Sequence, residues 1–589
     1  MLSVARAATC VVVLLALTAL CTASWEQEAQ EKALSSLVMT KYFASLKPDN
    51  NGCMVCTLLA TIVEGLAKGQ AGPIDKFISS KLCPLLPGSY QFTCEFLVTE
   101  YGPVIISMLE ARANPDDICK ALKFCTDPTC HLFPRSKFAA FPELNNAVSQ
   151  LLAPEKAINK VSALLKTTPK SQSRSFASPP DSPVPMPPKR KILPHFDADG
   201  DYFSTVPTLR GYNWRGQDCD DTNGAVYPGR RVTSGDPSLD YNCNGISGRD
   251  SATGKTWKEL YCANSGQLGV AVMGGSACSH FAIPAKWVHF NNISAHTYSD
   301  VLEAAENELD WPQKSWVTGY ETSEVLGHGV TMDSVYLKMR ERNLCNHRDY
   351  QQLGVNGFSS EDVYATVGSL ARNPSFDHPM TVFHSPLGDD VCNMDIEDTV
   401  ARMTTPREFR AWVYGSLKQL DSILPPQSHV MFVGLVNGSI LWDTLHTRLH
   451  PFGVTYPTLY TWLLCVKANP CVGWLNPNAT TRAAATARAK LLSDQYPIII
   501  KEHAHEFKNF DMAYYPFPLK PIFDKWVADG KDPALLIEPV DGFHPSTITN
   551  SLVATWLTEH MAIDHPTFLG PINPNNAAIK AKFGNQGGY

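Results

Sequence analysis

Two things are scarce in this chain. Positive charge is not in surplus: 50 Lys and Arg stand against 57 Asp and Glu, a formal net charge of −7, so nothing marks a general nucleic-acid binder. Long hydrophobic runs are also missing. The one apolar stretch of any length, Ala7 to Leu20 behind Arg6, is too short for a membrane span. It ends in the small residues Thr22, Ala23 and Ser24 and reads as a secretory signal peptide over 1–24. A secretory route makes disulfides the default state of the cysteines. Of 17 cysteines, Cys10 and Cys21 leave with the signal and 15 remain, so at least one thiol is left over; Cys278 is the expected one. Acceptor sequons at Asn292, Asn437 and Asn478 suit the same secreted or vesicular compartment. At 589 residues the chain exceeds a single core, and two or more domains are expected.

After an N-terminal segment or propeptide over 25–48, residues 49–135 carry Cys53, Cys56, Cys83, Cys94, Cys119 and Cys125. The cysteines sit among helix-period apolar segments such as 58–66 and 96–109, which predict amphipathic helices in a domain small enough to need staples. The two-residue gap in Cys53-Met-Val-Cys56, mirrored by Cys119…Cys125, resembles the saposin B family. That resemblance implies an all-α lipid-interaction domain with pairs 53–125, 56–119 and 83–94. Another disulfide-bonded helical bundle remains the plainer alternative, and a zinc site is less expected outside the cell. Cys130 lies just past the domain.

Residues 167–191 form a proline-rich stretch expected to be extended and unpacked, ending in Lys189-Arg190-Lys191. An exposed basic cluster there is either a processing-protease site or a solvated charge run. Residues 192–250 are acidic and glycine-rich. Asp197, Asp199, Asp201 and Tyr202 open this segment, Asp218, Asp220 and Asp221 follow, and Asp236, Asp240, Asn242 and Asn244 close it. Alternate carboxylates on a turning loop suit Ca2+, which takes six to eight oxygen ligands. The glycine position is not that of an EF-hand loop. Cys219 and Cys243 are expected to staple these loops.

From 258 to 589 short apolar runs alternate with helix-like segments, the order of an α/β domain with a mostly parallel sheet. Strands are predicted at Leu268–Met273, Met380–His384, Val430–Val436 and Pro497–Lys501. The first ends in Gly274-Gly275-Ser276, where glycines would allow a positive φ and close approach of substrate, with Ser276 at the strand's carboxyl edge. A nucleophilic serine needs a base and a group orienting that base. Asp541-Gly-Phe-His544 supplies both three residues apart, just after a strand-like Leu535-Leu-Ile537.

A serine early in the domain and Asp-x-x-His at its end resemble the GDSL (SGNH) hydrolases. The resemblance makes Ser276 the nucleophile, although Gly275 stands where that family commonly has aspartate. It puts the N–H groups of Ser276 and Gly357 in the oxyanion hole. It also places Asp389 where the family has its oxyanion-stabilising asparagine. An ionised carboxylate there would repel the developing charge, whereas a protonated one would donate to it. Two other groupings carry less chemistry. Asp443-Thr-Leu-His446 reads as structural, and His503 and His505 with Glu506 lack a third ligand for a metal.

A saposin-like domain, a basic linker, a calcium-type segment and a GDSL hydrolase in one chain resemble the acyloxyacyl hydrolase family. Local strings agree: Ser276-Ala…His280-Phe281, Cys345-Asn-His-Arg-Asp-Tyr350, Gly388…Val391-Cys392 and Leu445-His446…Arg448…His450-Pro451. The resemblance implies hydrolysis of secondary fatty acyl chains of lipid A in lipopolysaccharide, with some action on phospholipid, and two disulfide-linked subunits after processing. On it rest the pairs Cys130–Cys465, Cys262–Cys345 and Cys392–Cys471. Contact with a membrane or micelle surface would come through the helical module. The alternatives are a catalytically weak lipid-binding protein, or a GDSL esterase with another substrate.

Overall fold

In the computed structural model, five short strands build one sheet: β1 Gly269–Gly274, β2 Tyr350–Gln352, β3 Met380–Ser385, β4 Ser428–Val433 and β5 Phe510–Tyr515. The structure describes residues 184–589 except 233–234, 290–296, 298 and 322–324, with scattered residues between 53 and 134. The order is β2-β1-β3-β4-β5, and all four pairings are parallel. In register, Val270 pairs with Tyr350 and Thr381, Val382 with Val430, and Met431 with Ala513. β1, β3 and β4 are buried along their whole length, as expected of strands covered by helices on both faces. With β1 at the point where the strand order reverses, the crevice lies at its carboxyl end, where a doubly wound sheet binds ligand.

Helices follow where the apolar period changes to 3–4. α1 is the short Ser276–Ser279. α2, Pro406–Ile423, starts on a Thr405–Glu408 capping box with proline in its first turn, and buries Phe409, Trp412, Val413, Leu417 and Leu420 on one face. α3 is Ser439–Leu445, α4 Gln495–His503, α5 Leu519–Ala528 and α6 Thr547–Asp564.

Several expectations are corrected. Pro497–Lys501 lies inside α4, not in a strand: Tyr496 and Ile499 are buried while Ile498 is exposed, a helical spacing that the β-branched run disguises. Leu535–Ile537 is mostly a tight 3-10 turn, with Ile537 alone bridging Pro545. β2 and β5 escaped prediction, β2 for its short polar Tyr-Gln-Gln sequence and β5 for the mixed exposure of an edge strand. The proline-rich stretch is not free from residue 184 on. Pro185 O accepts from the Trp412 indole, Arg190 N–H donates to Ala365 O, and the Arg190 guanidinium pairs with Asp362 at 2.8 Å.

The chain forms two units, Met1–Ser171 with Lys286–Glu306, and Gln172–Ala285 with Asn307–Tyr589. The acidic segment therefore belongs to the sheet's own unit. It covers the outer edge of β2: Gln352 N–H donates to Trp214 O and Gly216 N–H to Tyr350 O, which protects an edge that would otherwise be open. In the first unit, the described residues 60–61 and 63–65 are helical, and so is Pro115–Ala121, which Asn114 caps. The buried Asp116 carboxylate accepts from the N–H groups of Leu132 and Phe133. Disulfides join Cys53–Cys125, Cys219–Cys243, Cys262–Cys345 and Cys392–Cys471. Cys119, Cys130 and Cys465 are also disulfide-bonded, and Cys278 is free and buried. The signal segment, residues 25–48, Cys56, Cys83, Cys94, Asn292 and the linker before 184 lie outside the described residues. Among the described residues no helix is long and apolar enough to cross a membrane.

Candidate active site

Ser276 stands at the carboxyl end of β1, the first residue of α1. The two glycines before it are not needed for a positive φ, contrary to expectation; Gly275 is extended, with φ −95°. They are needed for space. An ideal Cβ would stand 2.0 Å from Ser385 O at Gly274, and 1.8 Å from Asp389 Oδ2 at Gly275. The left-handed residue is His280, φ 61°, which ends α1 and turns the chain sharply away.

Across the crevice, Ser276 Oγ lies 2.7 Å from His544 Nε2, and His544 Nδ1 lies 2.6 Å from Asp541 Oδ2. Asp541 Oδ1 accepts from the N–H groups of Phe543 and His544, so both of its oxygens are committed and its orientation is fixed. Ser276 and His544 are each nearly buried, at 5% and 7% exposure, which keeps this hydrogen-bond chain out of bulk water. Phe281 and Phe543 pack on the imidazole, each with its ring centre 4.7 Å away.

Three side chains without an assigned role in the sequence, one of them the His450 of a family-like string, hold the loop that bears Asp541 and His544. Tyr456 donates to Pro539 O, Tyr460 to Gly542 O, and His450 Nε2 to Val540 O. Phe452 N–H donates to His450 Nδ1, so the His450 proton sits on Nε2. Burial holds the His450 pKa down to about 4, and the ring stays neutral. His280 joins the two halves of the site. Asn550 Nδ2 donates to its Nδ1 at 2.9 Å, and its Nε2 meets Thr547 Oγ1 at 3.0 Å, both on α6 just past His544. Burial, with Lys314 and His544 nearby, lowers its pKa to about 3. Glu538, which donates its N–H to His544 O, has its carboxyl pushed up to about 8 by burial and by the Asp541 charge. His280 and His450 stand in the family-like strings, which assign them no role; nothing local in the sequence marks Tyr456 or Tyr460.

Beyond Ser276 the crevice opens into an apolar cleft. Leu387, Val436 and Trp474 line one side, Leu441 comes from α3, and Leu519 and Phe523 from α5. Asp389 lines it too. Gly357, with φ 81°, is exposed on the turn after β2; Phe358 O, next along that turn, would lie 3.1 Å from a Cβ on Gly275.

The acidic segment divides in two. Asp197, Asp199 and Asp221 bring carboxylate oxygens within 4.8 Å of one another, as do Asp199, Asp201 and Asp218. One buried oxygen each of Asp199, Asp201 and Asp218 has no hydrogen-bond partner. Burial and neighbouring carboxylates raise Asp201 to about 8 and Asp218 to about 6. Asp220 instead accepts from Thr222, and the Tyr202 phenol is engaged by Lys191. The downstream residues are also occupied: Lys258 bonds Asp240 and Asn242, Asp236 caps Ser238, and Asn244 bonds Cys345 O and Ile246 N–H. The other groupings fall away. His446 is exposed and donates to Trp442 O, while His503 ends α4 and pairs with Glu506 at 2.7 Å.

Comparison with known proteins adds to this geometry. The family described as saposin-like domain matches residues 52–171, past the end expected from the cysteines. The acyloxyacyl hydrolase of Oryctolagus cuniculus is 37% identical over 92% of this chain and 95% of its own length. Those of Mus musculus and Homo sapiens are 37% and 38% identical, over 91% of this chain and 93% of theirs.

Proposed function

The chain belongs to the acyloxyacyl hydrolase family and is a lipid ester hydrolase, and from that premise we propose that it removes secondary, acyloxyacyl-linked fatty acyl chains from lipid A of bacterial lipopolysaccharide by serine catalysis. The observation carrying the mechanism is the hydrogen-bond chain Ser276–His544–Asp541 at the mouth of an apolar cleft.

In this reading Ser276 Oγ attacks the ester carbonyl as His544 Nε2 takes its proton, and Asp541 stabilises the imidazolium. The N–H groups of Ser276 and Gly357, with Asp389, stabilise the oxyanion. Water, activated by the same imidazole, then frees the fatty acid from Ser276. The cleft takes the acyl chain. Phospholipid is a second substrate, and the saposin-like domain draws lipid from micelles or membrane surfaces.

Asp197, Asp199, Asp201, Asp218 and Asp221 would hold Ca2+. The orphaned buried oxygens and raised carboxyls fit a cation, which would supply the missing partner and relieve the repulsion. Its role is to brace loops at the edge of β2, and no catalytic step runs through it. A secretory route is supported by Asn437 and Asn478, both exposed as glycan acceptors must be. Proteolysis within the linker would complete maturation.

The test is fatty acid release from lipopolysaccharide, with Ser276→Ala beside the wild type. Release falls to background in the variant at unchanged Tm. Equal release from both overturns the mechanism, and release of acetate but not fatty acid from a substrate panel overturns the substrate.

A further inference from the structure

Residues 184–192 form neither helix nor strand, yet they are anchored along their length. Pro185 O accepts from the Trp412 indole at 3.1 Å, Arg190 N–H donates to Ala365 O at 2.8 Å, and Ile192 N–H donates to Ser369 Oγ at 2.8 Å. The buried Arg215 donates to Ile192 O at 3.1 Å. Arg190 is the one side chain of the basic cluster that reaches toward the crevice. Its guanidinium meets Asp362 Oδ1 at 2.8 Å and lies over the Phe358 ring, 5.0 Å from its centre.

Both contacts lead on to the walls around Ser276. The second Asp362 oxygen accepts from Ser359, from its N–H at 3.1 Å and its hydroxyl at 3.0 Å, at the start of the helix Ser360–Thr366. The next residue, Ser360, donates its N–H and hydroxyl to the buried Asp390, at 3.0 and 2.6 Å. Leu387, Gly388 and Asp389, just before Asp390, line the cleft with Ser276. On the other side, the turn 354–358 presses on the nucleophile's own turn. A Cβ on Gly354 would lie 3.2 Å from Gly275 O and 3.4 Å from Ser279 N, and Phe358 O would lie 3.1 Å from a Cβ on Gly275. Packing this close passes a displacement on rather than absorbing it.

We propose that residues 184–192 are a brace for the active site and that Arg190 is its positioning residue, holding the turn 354–358 and the segment 387–390 in place against Ser276. The inference rests on Ser276 being the nucleophile. Arg190 itself touches no reacting atom. Its side chain is 51% exposed and that of Asp362 27%, so the ion pair adds little to stability. Its effect falls on rate instead, since a shift of about 1 Å in a wall of the site can cost about 10²-fold. The basic cluster is then contact surface rather than a processing site. Cleavage within 189–191 would part Arg190 from the anchor at Ile192 and slacken the brace.

The experiment measures kcat and KM on a soluble fatty acyl ester and on lipopolysaccharide aggregates, with Tm for every variant. Arg190→Ala lowers kcat about tenfold on both substrates, with KM held within about twofold and Tm within about 2 °C. Arg190→Lys, which keeps the charge but not the planar fork, recovers part of the loss. Asp362→Asn loses about as much as Arg190→Ala, and adding Arg190→Ala to it costs less than about twofold more, because the two act through one contact. Wild-type kcat in Arg190→Ala overturns the inference, and so do losses that multiply in the double variant or follow Tm across the set. A loss confined to lipopolysaccharide also overturns it and assigns the cluster to an anionic lipid surface. Should Asp362→Asn fail to fold, Arg190→Ala and Arg190→Lys decide. Activity surviving in Ser276→Ala rejects the mechanism beneath the inference, a separate result.

Discussion

His280 shows how much one side chain can set. A left-handed backbone is costly for a residue with a Cβ, so something must hold it there. The hold is a neutral imidazole between Asn550 and Thr547, tying the turn after Ser276 to the helix after His544. Replacing it with alanine should lower kcat about tenfold or more through misalignment, and asparagine, which tolerates that backbone, should recover part of the loss. Because the pKa is held near 3, neither variant should move the pH profile between 5 and 8. A shifted profile would show that His280 titrates in the reaction. Ser276, Asp541 and His544 were legible in the sequence because Asp-x-x-His and a glycine-flanked serine each carry a local signal. The roles of Tyr456, Tyr460 and His450 were not, because they act on carbonyl groups more than eighty residues away.

At the scale of elements, the cleft is made by α3 and α5, whose apolar faces converge beyond β1. Leu441 points into it from a seven-residue helix. Leu441→Trp should fill the cleft, cutting kcat/KM for long-chain esters about tenfold or more while changing short-chain esters little. A chain-length series measures this, and an equal loss at all lengths would place the acyl chain elsewhere. α4 carries the opposite lesson. Its Pro-Ile-Ile-Ile run has strand composition, yet burial of Tyr496 and Ile499 with Ile498 exposed shows that packing on one face chose a helix.

On the largest scale, the acidic segment closes one edge of the sheet and concentrates carboxylates. Without a cation, the folded pKa values of Asp201, about 8, and Asp218, about 6, stand above the ordinary carboxyl value of 3.8. Raised carboxyls favour the fold below about pH 4, and that contribution disappears as pH climbs through 6 to 8. Removing Ca2+ with a chelator should therefore lower Tm by several degrees at pH 8 and by much less at pH 5. Thermal scans with and without chelator read this directly; an equal Tm at pH 8 would mean that these carboxylates hold no stabilising ion.

Sequence alone pointed to what local pattern can encode: the α/β class, the saposin-like module, and the serine, histidine and aspartate that the fold joins in one hydrogen-bond chain. Each depends on residues close in the chain or on cysteines whose spacing is itself the signal. Only the tertiary structure decided that Gly275 serves space rather than a turn, that the linker is docked from residue 184 on, and that the acidic residues split between an orphaned group and a satisfied one. These outcomes turn on which distant atoms come within about 3 Å of each other, a length at which one Cβ or one lysine changes the answer.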